Sequence, residues 1–73
     1  MKLTVNGSAM EFTGNPSLDV LVEQLQLNSG RVAVELNLSI VPRTQWEMTT
    51  LKEGDKLEIV HFVGGGRTEF LLF

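Results

Sequence analysis

The stretch Lys56-Leu57-Glu58-Ile59-Val60-His61-Phe62-Val63 is a long run of strand-forming residues in a chain of 73 residues. β-Branched and aromatic residues are frequent in it, and apolar side chains occupy both alternating phases. Successive side chains of a strand point to opposite faces of the sheet, so this strand is apolar on both faces. Such a strand is typical of the middle of a sheet, and we place residues 56–63 there.

The segments before this strand predict a hairpin and one helix. Alternating apolar residues flank Asn6-Gly7, two residues that tolerate positive φ, which indicates a β-hairpin at the N-terminus. Apolar residues at helical spacing predict a helix from Leu18 to Leu27, with Ser17 as N-cap and a stop at residues 28–30.

A second group of short elements lies between the helix and the long strand. Residues 32–36 alternate and predict a third strand, while Pro42 limits the apolar pair Ile40-Val41 to a short or edge strand. We expect residues 43–48 to be irregular, residues 49–51 to form a brief strand and residues 52–55 to form a turn. The element order predicts an α+β fold, and a right-handed crossover places the long strand between the first and third strands.

The apolar phase of each element predicts one shared core. It comprises Leu3, Val5, Leu21, Leu25, Val34, Leu36, Leu57 and Ile59. For Trp46 we weigh an interface anchor against packing at the core edge, and packing is the more frequent role of a single tryptophan in a small domain. Arg43 fits a solvated charge better than a salt bridge to a partner. His61 fits a structural histidine and receives no catalytic role.

Composition excludes several classes of function. The net charge of -3, without a basic cluster, argues against nucleic acid and anionic membranes as partners, and no apolar run is long enough to span a bilayer. The N-terminus lacks the pattern of a secretory signal, so the cytoplasm is the expected location. The absence of cysteine excludes thiolate metal sites and any side chain that could hold a persulfide. With no phosphate-binding loop and a single histidine, the chain shows no catalytic set, metal site or cofactor site, and we do not expect an enzyme.

The pattern from Asn37 to Trp46, followed by Leu51, Gly54-Asp55 and residues 58–66, resembles the ThiS family of thiamine-biosynthesis sulfur carriers. The resemblance covers Met1 to Gly66, and its most specific part is Ile40-Val41-Pro42-Arg43 combined with Trp46 and the glycines Gly64, Gly65 and Gly66. It implies a β-grasp, or ubiquitin-like, fold. We therefore expect residues 1–66 to form one carrier domain with a glycine tail.

The resemblance also implies a chemistry for the tail. An E1-like adenylyltransferase would adenylate the carboxylate of Gly66, and a cysteine desulfurase or another persulfide donor would supply sulfur for a thiocarboxylate. Thiazole synthase would then receive that sulfur. By composition alone the glycine run is a flexible linker or turn, but the upstream resemblance favours the carrier role. Three extended residues reach roughly 10 Å, and glycine lets an enzyme's backbone approach closely.

Residues 67–73 depart from the family pattern, in which the chain ends at the glycines. An internal Gly66-Arg67 amide has no carboxylate to adenylate, which leaves a precursor trimmed by a peptidase, an inactive variant or a chain with added residues. The apolar residues 70–73 are compatible with a disordered tail, an extra edge strand or a segment that covers the sheet.

The side chains Val60 and Phe62 form the predicted docking surface. They are expected to point away from the helix when Leu57 and Ile59 point toward it, and they lie next to the glycine tail. Two other functions remain open at this point: the small subunit of molybdopterin synthase, with the same fold and terminal diglycine, and a ubiquitin-like binding module whose tail undergoes no chemistry.

Overall fold

The computed structural model describes the backbone of residues 1–63 and 67–70 and the side chains of residues 1–61 other than Ser29. Its helix and strands are, in chain order, β1 (Lys2–Val5), β2 (Ser8–Glu11), α1 (Leu18–Gln24), β3 (Val32–Leu36), β4 (Ser39–Val41), β5 (Lys56–Val63) and β6 (Arg67–Phe70). Two short 3₁₀-helices, Ser29–Arg31 and Arg43–Met48, complete the described elements.

The strands form one mixed sheet in the order β2-β1-β5-β3-β4, and β6 adds to β5. β1 and β5 are parallel, with Thr4 opposite Lys56, whereas the other pairs are antiparallel. The prediction that residues 56–63 lie between the first and third strands is confirmed, and so is the α+β class. The crossover through α1 makes β2 and β3 run in the same direction. Because β1 is antiparallel to β2 and β5 is antiparallel to β3, β1 and β5 are parallel.

The core lies between the sheet and α1. Its buried apolar side chains are Leu3, Val5, Phe12, Leu18, Leu21, Val22, Val32, Val34, Trp46, Leu51, Leu57 and Ile59. Each fully buried aliphatic side chain contributes about 1.5–3 kcal/mol relative to exposure. Of the predicted core, Leu25 and Leu36 are only half-buried, and they pack against this cluster from its margin.

The helix α1 ends three residues before the predicted end at Leu27, so that boundary was wrong. Its C-terminus folds back through two hydrogen bonds: Gln26 N donates to Glu23 O at 2.9 Å and Leu27 N donates to Val22 O at 3.3 Å. Gln26 adopts φ 60°, the left-handed conformation that this type of helix end requires. At the other end Ser17 occupies the N-cap as predicted, but its hydroxyl donates to the Asp19 carboxylate and caps no backbone amide.

Residues 43–48 form a 3₁₀-helix, which corrects the prediction of an irregular segment. Trp46 explains the regularity, because its indole lies in the core and its Nε1 donates to Val41 O at 2.9 Å. The ring thereby ties the 3₁₀-helix back to β4. The predicted brief strand at residues 49–51 is reduced to one bridge, in which Thr50 pairs with Ser17.

Candidate functional site at the end of β5

The first residues of β5 are positioned by a buried polar network at the β3–β4 turn. The Asp55 carboxylate, 8% exposed, accepts from Lys52 N at 2.8 Å and from Asn37 Nδ2 at 3.0 Å. The Asn37 Oδ1 in turn accepts from Lys56 N at 3.0 Å. These bonds satisfy a buried carboxylate and fix the point at which β5 leaves the preceding turn.

Farther along β5, the side chain of Asn6 occupies the edge of the strand. β1 pairs with β5 only as far as Leu57, and beyond it Asn6 Nδ2 donates to Ile59 O at 3.1 Å while Ile59 N donates to Asn6 Oδ1 at 2.7 Å. The sequence indicated only a turn at Asn6-Gly7, and the φ values of 51° and 83° confirm that turn. The role of the Asn6 amide depends on tertiary placement, and no local signal reveals it.

Beyond Asn6, β6 covers the same edge. Its register places Val60 opposite Phe70, His61 opposite Glu69, Phe62 opposite Thr68 and Val63 opposite Arg67. Residues 67–70 thus form an additional strand. Of residues 70–73, for which the sequence left three alternatives, only Phe70 belongs to it, and residues 71–73 lie outside the described part. Peptide groups alternate in direction along a strand, so those of His61 and Val63 face β6, as that of Ile59 faces Asn6.

The predicted sulfur-bearing residue, Gly66, lies outside the described residues together with Gly64 and Gly65. Paired strands flank them in the sequence, since Val63 and Arg67 are partners in the ladder. The glycines thus follow β5 directly in the sequence, and β5 pairs with other strands on both of its edges.

The sheet face opposite α1 carries the first predicted docking residue. Ile59 is fully buried beneath α1, whereas its neighbour Val60 is half-buried and points to the open face, as predicted. Val60 lines a depression of about 180 Å³, whose other lining residues are Ala33, Val34, Glu35, Ile40 and Glu58. The side chain of Phe62, the second predicted docking residue, lies outside the described part.

The remaining candidate residues do not converge on this site. Trp46 is 3% exposed, which confirms packing in the core and leaves no surface for an interface anchor. Arg43 is exposed and lines a separate cleft of about 400 Å³ between α1 and the second 3₁₀-helix. His61 is half-buried on β5, opposite Val32 of β3 and Glu69 of β6 in the register.

In the part of the chain that the structure describes, no helix combines the length and apolar character needed to cross a membrane. Over the same residues, no group of three or more His, Cys, Asp or Glu side chains is arranged to hold a metal ion.

Comparisons with known proteins connect the chain to one family. The model of the ThiS family matches residues 3–66. A thiazole synthase from Paramagnetospirillum magneticum is 44% identical over 66 residues, which cover 90% of this chain and 20% of that protein. The sulfur carrier protein ThiS of Escherichia coli is 30% identical over 66 residues, covering 90% of this chain and 100% of the relative. The chain thus spans about a fifth of the first relative and the whole of the second.

A solved structure agrees with the observed topology. The crystal structure of the thiamine biosynthesis protein ThiS from Geobacter metallireducens superposes with a TM-score of 0.78 at 36% sequence identity. The match covers 90% of this chain and 100% of that structure. This similarity confirms the ubiquitin-like β-grasp fold that the sequence resemblance implied.

Proposed function

The chain belongs to the ThiS family of small sulfur carrier proteins in thiamine biosynthesis, and from this premise we propose that Gly66 carries the sulfur as a C-terminal thiocarboxylate. The chain acts as a carrier and not as an enzyme. The observation that carries the proposal is the extent of the family match, which runs through the β-grasp fold and ends at Gly66.

The proposed chemistry proceeds in two stages on partner enzymes. In the first, a carboxylate oxygen of Gly66 attacks the α-phosphorus of ATP on an E1-like adenylyltransferase, and pyrophosphate leaves. In the second, the terminal sulfur of a persulfide, supplied by a cysteine desulfurase or another donor, attacks the acyl carbon and AMP leaves. A second thiol then reduces the acyl disulfide, which releases the thiocarboxylate and forms a disulfide between the two thiols. The carrier supplies only the terminal glycine, which accords with its lack of cysteine.

Residues 67–73 must be released before this chemistry can start. We assign residues 1–66 to the carrier domain and residues 67–73 to an extension that a peptidase removes. The reason is chemical, because an amide between Gly66 and Arg67 offers no carboxylate oxygen for adenylation. The pairing of β6 with β5 adds support, since it joins both ends of the glycine run to the sheet while the extension is present.

Thiazole synthase is the proposed acceptor of the sulfur. The thiazole synthase of P. magneticum contains a stretch that is 44% identical to this chain, which supports a working relation between such a domain and that enzyme. We propose that Val60 and Phe62, next to the glycine run, dock both thiazole synthase and the E1-like enzyme. We expect Phe62→Ala to weaken both interactions while the fold is retained. The cytoplasm remains the predicted location.

The decisive experiment compares residues 1–66 with the full chain. Each is incubated with the E1-like enzyme, ATP and the persulfide donor, and ATP–pyrophosphate exchange and the intact mass are measured. We expect exchange and the mass increase of an oxygen-to-sulfur replacement for the trimmed chain alone. The same exchange assay separates a carrier from a binding module whose tail undergoes no chemistry.

The matched control is Gly66→Ala in the trimmed chain. A Cβ at this position obstructs the close approach of an enzyme's backbone, so we expect slower loading with unchanged folding. Sulfur loading of a full chain whose mass still includes Phe73 would contradict the proposed requirement for release.

A further inference from the structure

Two glutamates lie opposite each other on the open side of the sheet. Glu35 on β3 and Glu58 on β5 are directly opposite in the antiparallel register. Like charges at such positions destabilise a sheet, because their side chains project from the same face at close range. Among the side chains of residues 1–61, no cation forms an ion pair with either carboxylate, although Lys56 lies on the same face two residues before Glu58.

Both glutamates line an apolar depression. Its apolar lining comes from Ala33, Ile40 and Val60, and Ile40 is 71% exposed. A volume of about 180 Å³ suits one long side chain rather than a small-molecule substrate. The depression thus offers an apolar contact for a side-chain stem and two negative charges for its end.

We propose that this depression binds an arginine side chain of thiazole synthase. Arginine combines an apolar stem with a planar, weakly hydrated cation that can donate to two carboxylates at once. A lysine ammonium is more strongly hydrated and lacks the fork of donors that spans two acceptors.

The choice of partner rests on the function proposed above. In the P. magneticum relative, a stretch similar to this chain belongs to a protein named thiazole synthase. The depression also includes Val60, so it is continuous with the proposed docking surface and lies on the strand that leads to the glycine run. An arginine bound there would hold thiazole synthase beside the sulfur-bearing terminus.

The facing glutamates should affect the stability of the carrier and its affinity for thiazole synthase in opposite directions. In this proposal, repulsion between Glu35 and Glu58 lowers the stability of the free carrier, and a bound guanidinium relieves the repulsion. Neutralising the pair should therefore stabilise the fold and weaken the complex, so the two measured effects have opposite signs. A substitution that merely damaged the fold would lower both the stability and the affinity for thiazole synthase.

The test uses the double variant E35Q/E58Q in residues 1–66. Calorimetry with purified thiazole synthase should show a Kd raised about tenfold or more and a weaker dependence of Kd on salt. The melting temperature should lie above that of the parent. Glu58→Lys should weaken binding further, because it places a cation against the arginine.

Glu47→Gln is the matched control, since Glu47 is an exposed carboxylate beside the separate cleft at α1. A Kd for E35Q/E58Q within about twofold of the parent, or an equal loss in Glu47→Gln, contradicts the arginine contact. Weaker binding to the E1-like enzyme alone, with an unchanged Kd for thiazole synthase, contradicts the arginine contact as well. Sulfur loading of the same proteins is measured separately. Failure of the parent chain to accept sulfur contradicts the carrier function, whereas the Kd for thiazole synthase tests the arginine contact.

Discussion

Among single residues, Ile59 illustrates how much of this small fold depends on one side chain. It is fully buried where β5 meets α1. We expect Ile59→Ala to lower the free energy of unfolding by about 2–5 kcal/mol, because the lost burial adds to the cavity that remains. Chemical denaturation measures the change. Met48→Ala, at a position 77% exposed, should stay within about 0.5 kcal/mol of the parent. Comparable losses in the two variants would argue against this core.

A second residue, Asn6, contributes to the stability of the fold through hydrogen bonds rather than through burial. Its side chain satisfies both the N–H and the C=O of Ile59. We expect Asn6→Ala to lower the free energy of unfolding by about 1–3 kcal/mol, since both backbone groups lose their partner. Part of this loss arises from the positive φ of Asn6, which alanine adopts poorly.

Asn6→Gly separates the two contributions, because glycine accepts the positive φ but cannot make the bonds. Thermal and chemical denaturation of both variants should place Asn6→Gly below the parent. Parental stability in Asn6→Gly would show that the two hydrogen bonds contribute nothing.

At the scale of elements, the end of α1 offers a test of backbone strain. Gln26 holds the left-handed conformation that glycine adopts without cost, so Gln26→Gly should raise the free energy of unfolding by about 0.5–1 kcal/mol. Glu23→Gly, at an exposed position inside α1, should lower it by about 1 kcal/mol. Urea unfolding of the pair gives the comparison, and a loss of stability in Gln26→Gly would contradict this description of the helix end.

The elements also show what the sequence could predict. The run of strand-forming residues at 56–63 and the Asn6-Gly7 turn are local signals, and both led to the observed strands. The end of α1 was missed because glutamine rarely marks a left-handed helix end. The 3₁₀-helix at residues 43–48 was missed because it depends on the indole of Trp46 reaching Val41 O. The facing pair Glu35 and Glu58 emerges only when the register of β3 and β5 is known.

For the whole molecule, the described core lies within residues 1–61, so removal of residues 67–73 should leave the fold intact. The change should appear locally in amide hydrogen exchange. His61 and Val63 face β6 and should exchange faster in residues 1–66 than in the full chain, because their hydrogen-bond partners are removed. Glu58 and Val60 face β3 and should keep their protection. Equal protection of His61 in both proteins would contradict the pairing of β6.

The amide of Asn6 also bears on how the trimmed carrier behaves in concentrated solution. A strand edge without a partner invites copies of a protein to polymerise, and short edges resist this growth. Because Asn6 occupies the edge at Ile59, only the end of β5 becomes available when β6 is removed. The uncovered edge is therefore short, which limits the pairing of neighbouring copies along it. The side chain of Asn6 thus restricts the strand edge that release of residues 67–73 would uncover.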